Sequence, residues 1–190
     1  CPLDTTSWRS CSWETVGGLA SHNDLGPWCP DGTFLTQVDL DQFPGASDLD
    51  NPIVGRARCC GIGGTTGRTW SSCSWETVGA TASHQQDVKD WCPDGRFLTQ
   101  LDLDQAPAGS SAGDSPIVGR GRCCSIEGAE SNPWGECQWV QVGALASHND
   151  LFKWCPQGSF LTQLDLDQAP GVSTQDNPIV GHARCCRPSN

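Results

Sequence analysis

The chain has 190 residues, of which 13 are cysteines, and a formal net charge of −11. This acidity excludes the basic patches that bind nucleic acid or anionic membrane surfaces, so neither partner is predicted. No apolar run reaches the roughly 18 residues of a transmembrane helix, which excludes membrane insertion by a helix. The cysteine content is typical of a secreted disulfide scaffold rather than a cytosolic protein.

The sequence contains three similar internal repeats. The block Phe-Leu-Thr-Gln-Leu-Asp-Leu-Asp-Gln begins at Phe34 (with Val38 in place of the inner Leu), at Phe97 and at Phe160. Internal repeats of this kind indicate an architecture built from equivalent units. We divide the chain into three units: residues 1–62, 63–126 and 127–190. We predict that the three units form one pseudo-threefold domain, and the alternative is three small β domains in a row.

Each unit has the same order of elements. A Trp-x-x-Cys-x-Trp segment comes first, and its aromatic composition favours a strand. A polar loop containing Ala-Ser-His follows, and then a Trp-Cys-Pro-Asp-Gly turn, with Gln157 in place of Asp in the third unit. The turn leads into the repeated block, and the unit ends in Pro-Ile-Val-Gly-x-x-x-Cys-Cys, where Pro begins a strand. Helix signals are absent, so we predict an all-β protein.

The repeated block alternates apolar and polar residues, as a strand with one buried face does. This alternation puts Phe34, Thr36, Val38 and Leu40 on one face. It gives the opposite face to Leu35, Gln37, Asp39 and Asp41. One face is expected to pack in a core and the other to meet water or a partner.

The last strand of the unit carries Arg56 and Arg58 on one face. If it pairs with the repeated block, these arginines share a face with Asp39 and Asp41. The same positions in the other units hold Arg120, Arg122, His182 and Arg184. We interpret this pattern as a cross-strand Asp–Arg ladder. The alternative is that the paired aspartates bind Ca²⁺ or sugar hydroxyls.

Four cysteines per unit predict two disulfides per unit. Bonding adjacent Cys59 and Cys60 to each other would strain the chain, so they pair with Cys11 and Cys29, in an order that stays open. Each bridge stabilises the fold by roughly 3 kcal/mol. Cys1 is left over, and it could link two copies as a disulfide homodimer, remain a thiol or carry a lipid. We interpret a chain that starts at Cys rather than Met as a secreted form whose leader has been removed.

Polar side chains near a tryptophan predict one carbohydrate site per unit. In the loops, these are His22, Asn23, Asp24, His84, Asp87, His148, Asn149 and Asp150. At the end of the repeated block, they are Asp41, Gln42, Asp104, Gln105, Asp167 and Gln168. The tryptophans lie at the turn, and their rings can stack on sugar faces: Trp28, Trp91 and Trp154. The alternatives are histidines that bond their own loop and tryptophans that fill a core.

The residues do not predict an enzyme or a metal protein. Ser-His beside Asp in sequence is not a catalytic triad, which is defined by spatial geometry. A glycan hydrolase using the paired aspartates ranks last, because adjacent arginines would keep both carboxylates ionised. The cysteines lack zinc-ligand spacing, and apart from the calcium alternative no cofactor is predicted.

The order of motifs resembles the vitelline membrane outer layer protein I family, which also has three internal repeats. The matching segments in the second unit are residues 92–97, 101–105 and 117–123, together with Asp114. The likeness covers roughly two thirds of each unit. It implies a β-prism, with three sheets around a pseudo-threefold axis, in a secreted coat protein. Several lectins share that architecture; a β-trefoil is the other threefold alternative.

These observations predict a secreted multivalent lectin that binds glycans or glycoproteins. Three weak sites on one body would raise the effective affinity through avidity. The alternative is a structural protein of an extracellular coat or matrix, without a discrete ligand site.

Overall fold

The computed structural model describes residues 4–16, 28–42, 53–63, 68–79, 91–105, 117–142, 154–168 and 179–189. These ranges form nine strands and no helix, which confirms the all-β prediction. No helix in the described ranges is long and apolar enough to span a bilayer.

Three antiparallel sheets are formed, one for each unit. The first contains β1 (Asp4–Val16), β2 (Thr33–Gln42) and β3 (Ile53–Gly63). The second contains β4 (Trp70–Gly79), β5 (Phe97–Gln105) and β6 (Ile117–Ile126). The third contains β7 (Trp134–Val142), β8 (Phe160–Gln168) and β9 (Ile179–Pro188). In every sheet the last strand of the unit lies in the middle, and the repeated block bonds to it along one edge.

A bulge at Thr36 changes which residues of the repeated block are buried together. Leu35 pairs with Cys59 and Gln37 pairs with Arg58, so Thr36 is an extra residue. Two residues opposite one shift the alternation by one position. The prediction that Phe34 and Val38 share a face is therefore wrong. The same shift occurs in β5 and β8.

The bulge gives the chain two buried layers instead of one. Leu35 and Val38 lie on the face of Ala57 and Cys59, in a main core that all three units build. Phe34 lies on the face of Cys60, in a second core that again draws on all three units. A chain of separate β domains would not share cores in this way, so the one-domain prediction is confirmed.

The second core is centred on three phenylalanines. Phe34, Phe97 and Phe160 contact one another edge to face, with ring centroids 5.5–5.6 Å apart. Each is 1% exposed. Edge-to-face pairs contribute about 0.5–1.5 kcal/mol beyond the burial of their area. Because one ring comes from each unit, this contact marks the pseudo-threefold axis.

Backbone hydrogen bonds join the units in a closed ring. The bulged Thr36 donates its hydroxyl to the Arg58 carbonyl, and its own carbonyl accepts the N–H of Cys155 in the third unit. Buried backbone groups need such partners. The three equivalent bonds run from Cys29 to Thr99 (3.3 Å), from Cys92 to Thr162 (3.3 Å) and from Cys155 to Thr36 (3.2 Å).

The tight turns complete the seams between units. The Thr33 N–H donates to the Pro30 carbonyl across a turn in which Gly32 has a φ of 79°, so the predicted turn is confirmed. The turn residue Asp31 accepts the backbone N–H of Trp70 at 2.9 Å, and the indole N–H of Trp70 donates to the Thr33 carbonyl at 2.8 Å. The turn of one unit therefore holds the first strand of the next.

Six disulfides connect the described residues, two in each unit. Cys11 bonds to Cys60 and Cys29 bonds to Cys59, which settles the order that the sequence left open. The equivalent bridges are Cys73–Cys124, Cys92–Cys123, Cys137–Cys186 and Cys155–Cys185. Such a density of disulfides agrees with an extracellular protein.

Thr69, just before β4, bonds to Glu127, just after β6. These bonds predict a shifted pKa for the Glu127 carboxyl group. The Thr69 backbone N–H donates to the Glu127 carboxylate at 3.1 Å, and the Thr69 hydroxyl donates to it at 2.9 Å. Both bonds lower the pKa of Glu127, the backbone bond more than the hydroxyl bond. The ionised form is favoured in the folded state. The stability it contributes is present above the ordinary carboxyl pKa and is lost as the pH falls through the lowered value.

We expect an NMR titration of the Glu127 carboxyl carbon to show this lowered pKa. Thr69→Val removes the hydroxyl but keeps the backbone N–H, so the pKa should rise without returning to its ordinary value. An unchanged pKa of Glu127 in Thr69→Val would show that the Thr69 hydroxyl does not stabilise the Glu127 carboxylate.

Candidate functional site

A stripe of alternating tryptophan and basic side chains runs across the outer face of each sheet, and the first tryptophan of each stripe also packs against both cores. In the first unit this outer stripe consists of Trp8, Arg58, Trp13 and Arg56. The corresponding residues in the second unit are Trp70, Arg122, Trp75 and Arg120. In the third unit they are Trp134, Arg184, Trp139 and His182.

The strand register builds the stripe. Trp13 on β1 lies opposite Arg58 on β3, while Ala57 between the two arginines is buried in the main core. The Arg58 guanidinium lies over the Trp8 ring, 4.9 Å from its centroid, and the Arg56 guanidinium lies 5.3 Å from the centroid of Trp13. Each such cation–π contact contributes about 0.5–1 kcal/mol at an exposed position.

The second unit repeats this geometry closely. Arg122 lies 4.8 Å from the centroid of Trp70, and Arg120 lies 5.3 Å from that of Trp75. In the third unit Arg184 lies 5.0 Å from the centroid of Trp134. There His182 takes the strand position of Arg56, opposite Gln141, while Trp139 lies opposite Arg184.

The second tryptophan of each stripe is unusually exposed. Trp13, Trp75 and Trp139 are 41%, 39% and 48% exposed. A single exposed leucine is ordinary, but a large aromatic ring left in water at three equivalent positions is informative. In the first two units a stacked arginine holds the ring in place while leaving part of its surface open to solvent.

An ion pair fixes the stripe of the second unit to the repeated block. Arg120 bonds Asp102 at 2.6 Å, with the arginine side chain 45% exposed and the aspartate 9% exposed. This contact confirms one rung of the predicted Asp–Arg ladder. The second rung is wrong, because Arg122 pairs with Gln100 across the strands and stacks on a tryptophan. The bulge causes this, since it moves Gln100 to the position opposite that arginine.

The exposed tryptophan lies toward the end of the sheet where the predicted polar segments begin. β1 ends at Val16, β2 ends at Gln42 and β3 begins at Ile53, and the register brings these three positions to the same end. Trp13 and Arg56 are the members of the stripe nearest to that end. The chain that leaves β1 there carries His22, which lies outside the described residues.

The structure places the predicted site residues in three different situations. The loop residues His22, Asn23, Asp24, His84, Asp87, His148, Asn149 and Asp150 lie outside the described residues. The strand-end residues close β2, β5 and β8 and pair with the first two positions of the neighbouring strand: Asp41, Gln42, Asp104, Gln105, Asp167 and Gln168. Their part in binding stays a prediction.

The turn tryptophans are part of the main core. Trp28, Trp91 and Trp154 are each 6% exposed and pack among the buried disulfides. This is the core-filling role that the sequence offered as the alternative. A residue with so little exposed surface can offer a ligand only an edge of its ring.

The exposed tryptophans were missed by the sequence reasoning, although a signal for them was present. Trp13 follows Cys11 at a spacing of two, so both lie on the same face of an extended strand. The arginines of the last strand share one face as well. Pairing these two strands, rather than the last strand and the repeated block alone, would have placed tryptophan beside arginine.

No group of three or more His, Cys, Asp or Glu side chains suited to a metal ion occurs in the part of the chain that the structure describes.

The chain matched no protein family, no curated protein and no solved structure.

Proposed function

We propose that this protein is a secreted, multivalent carbohydrate-binding protein whose sites are centred on the exposed tryptophans of the three outer stripes. The observation that carries the proposal is the equivalent exposure of Trp13, Trp75 and Trp139, each held beside a basic side chain. The six disulfides support the extracellular setting.

The chemistry of the stripe suits a sugar ring. The apolar C–H face of a pyranose can stack on an exposed indole, and hydroxyls around it can accept hydrogen bonds from the half-exposed Arg120. The ion pair between Arg120 and Asp102 offsets part of the positive charge of the stripe. The protein as a whole is acidic. Both features favour binding of neutral glycans over binding of polyanions such as sulfated glycans and nucleic acids.

The presence of only one exposed tryptophan on each sheet supports a sugar over a protein partner. A stable protein–protein interface buries about 800 Å² on each side, whereas here each sheet presents one exposed tryptophan surrounded by polar and charged residues. Three such points on one rigid domain suit a repeated ligand on a glycan-bearing surface. Avidity would then multiply three weak affinities without new contacts.

A glycan array with the wild-type protein and the variant Trp13→Ala/Trp75→Ala/Trp139→Ala tests this proposal. We expect selective binding by the wild type and loss of binding by the triple variant. A single substitution should lower the apparent affinity on a glycan-coated surface on the order of tenfold, because two sites remain. Thermal unfolding of each variant serves as the control for folding. A blank wild-type array would overturn the proposal and leave the structural coat or matrix protein as the better interpretation.

The third site should be the weakest, because His182 replaces the arginine that stacks on the exposed tryptophan. His182→Arg should strengthen binding at this site by up to about two- to fivefold, because a stacked guanidinium orders the ring before binding and an exposed cation–π contact contributes about 0.5–1 kcal/mol. The measurement is a titration with the glycan that the array selects, in the background Trp13→Ala/Trp75→Ala, where only the third site is intact. Arg120→His in a background that leaves the second site alone is the matched reverse change. If the His182→Arg substitution leaves the affinity unchanged, the stacked guanidinium has no role in binding.

A further inference from the structure

The first tryptophan of each outer stripe has a sequence context that no other tryptophan of this chain shares. Trp8, Trp70 and Trp134 are each followed by cysteine at the third position. None of the other six tryptophans is followed by cysteine or tryptophan at that position. Trp-x-x-Cys is an acceptor pattern for C-mannosylation, and such a pattern is an argument only where its structural context fits.

The structural context of these three tryptophans is uniform. Each lies half-buried at a seam between units, with a guanidinium 4.8–5.0 Å from the ring centroid. Each indole N–H donates to a backbone carbonyl of a neighbouring unit. The acceptors are Ser159 for Trp8 at 3.0 Å, Thr33 for Trp70 at 2.8 Å and Arg96 for Trp134 at 2.9 Å.

We propose that Trp8, Trp70 and Trp134 are C-mannosylated when the chain passes through a secretory route that contains a C-mannosyltransferase. The donor is a polyprenyl-phosphate-linked mannose. Indole C2 forms a carbon–carbon bond to the anomeric carbon as the bond from that carbon to the phosphate oxygen breaks. The C2 proton leaves to a base, the aromatic ring is restored and polyprenyl phosphate is released. No oxidant or reductant takes part.

The fold determines when this reaction occurs. Once the sheets have closed, the indole is half-buried and its N–H is engaged across the seam, so the enzyme must act on the unfolded or extended chain. The modification leaves the N–H and the ring face unchanged. The hydrogen bond across the seam and the stack with arginine can therefore form afterwards, and the mannose hydroxyls supply acceptors near the guanidinium. The inference depends on secretion but not on sugar binding by the stripes.

The test uses the whole chain, directed into the secretory route of cultured animal cells. Trypsin cleaves after Arg68 and Lys89 and releases one peptide that contains both Trp70 and Trp75. Tandem mass spectrometry of the reduced peptide locates any hexose. Trp75 is the matched internal control, because Val78 stands at its third following position.

We expect one hexose on Trp70, none on Trp75, and the same contrast at Trp8 and Trp134 against the other tryptophans. The hexose should survive collisions that remove sugars from serine and threonine, because it is held by a carbon–carbon bond. It should disappear in cells that lack the C-mannosyltransferase. Unmodified Trp70 beside a fully modified reference protein from the same cells, or equal modification of Trp75, would overturn the proposal.

Discussion

Gly95→Ala is expected to destabilise the protein by about 2–5 kcal/mol, although it adds one methyl group. Gly95 has a φ of 79°, and a Cβ there would lie 2.1 Å from the Asn132 carbonyl oxygen, in the segment that leads into β7 of the third unit. Left-handed backbone costs an L-residue about 1–2 kcal/mol, and forcing extra volume into a packed site costs about 1–3 kcal/mol more. The clash is with backbone, which cannot rotate away. Chemical denaturation measures the loss.

Gly128→Ala is the matched control. Gly128 has the same φ of 79°, but its nearest neighbour for a Cβ is the Nη1 of Arg68 at 3.8 Å. Only the backbone cost of about 1–2 kcal/mol should appear there. If both variants lose the same stability, the close approach of the turn to the next unit is not a determinant of the fold.

Phe97→Ala should cost about 3–5 kcal/mol, the usual range for removing a buried aromatic side chain. The ring is 1% exposed and contacts the rings of Phe34 and Phe160, each with centroids 5.6 Å away. The loss therefore removes contacts with both other units. Denaturant unfolding followed by tryptophan fluorescence and by circular dichroism gives the free energy of unfolding.

Phe97→Leu is the volume-sparing comparison, and it should lose less stability than the alanine variant. Because one phenylalanine comes from each unit, both variants should unfold in a single transition that the two probes report together. Separate transitions for the units would show that the three sheets do not form one cooperative domain.

The number of strands and their order within a unit could be predicted from sequence because the units repeat. Comparing three copies separates the strand pattern from chance, and four cysteines per copy restrict the disulfides to two possible orders. Local periodicity could not predict the bulge at Thr36, because the bulge depends on a hydrogen bond to Arg58 and on a backbone donor from the third unit. The burial of both Phe34 and Leu35 follows from that bulge.

The candidate site was harder to predict than the fold. Tryptophan is suited both to a core and to a binding surface, and periodicity does not say which. Trp28, beside a polar loop in sequence, is buried, whereas Trp13, within a regular strand, is exposed. The order β1-β3-β2 decides this, because it places the edge strand with Trp13 next to the arginine-bearing strand. The resemblance to the vitelline membrane outer layer protein I family stays a prediction.

The most direct test of the account is an NMR titration of the nine tryptophan indole N–H signals with the glycan that the array selects. Trp→Phe variants assign the signals. We expect the signals of Trp13, Trp75 and Trp139 to shift in proportion to binding. The signals of Trp28, Trp91 and Trp154 should barely shift, because these side chains lie in the main core. Shifts confined to the three core tryptophans, or none at saturation, would contradict a binding site on the outer stripes.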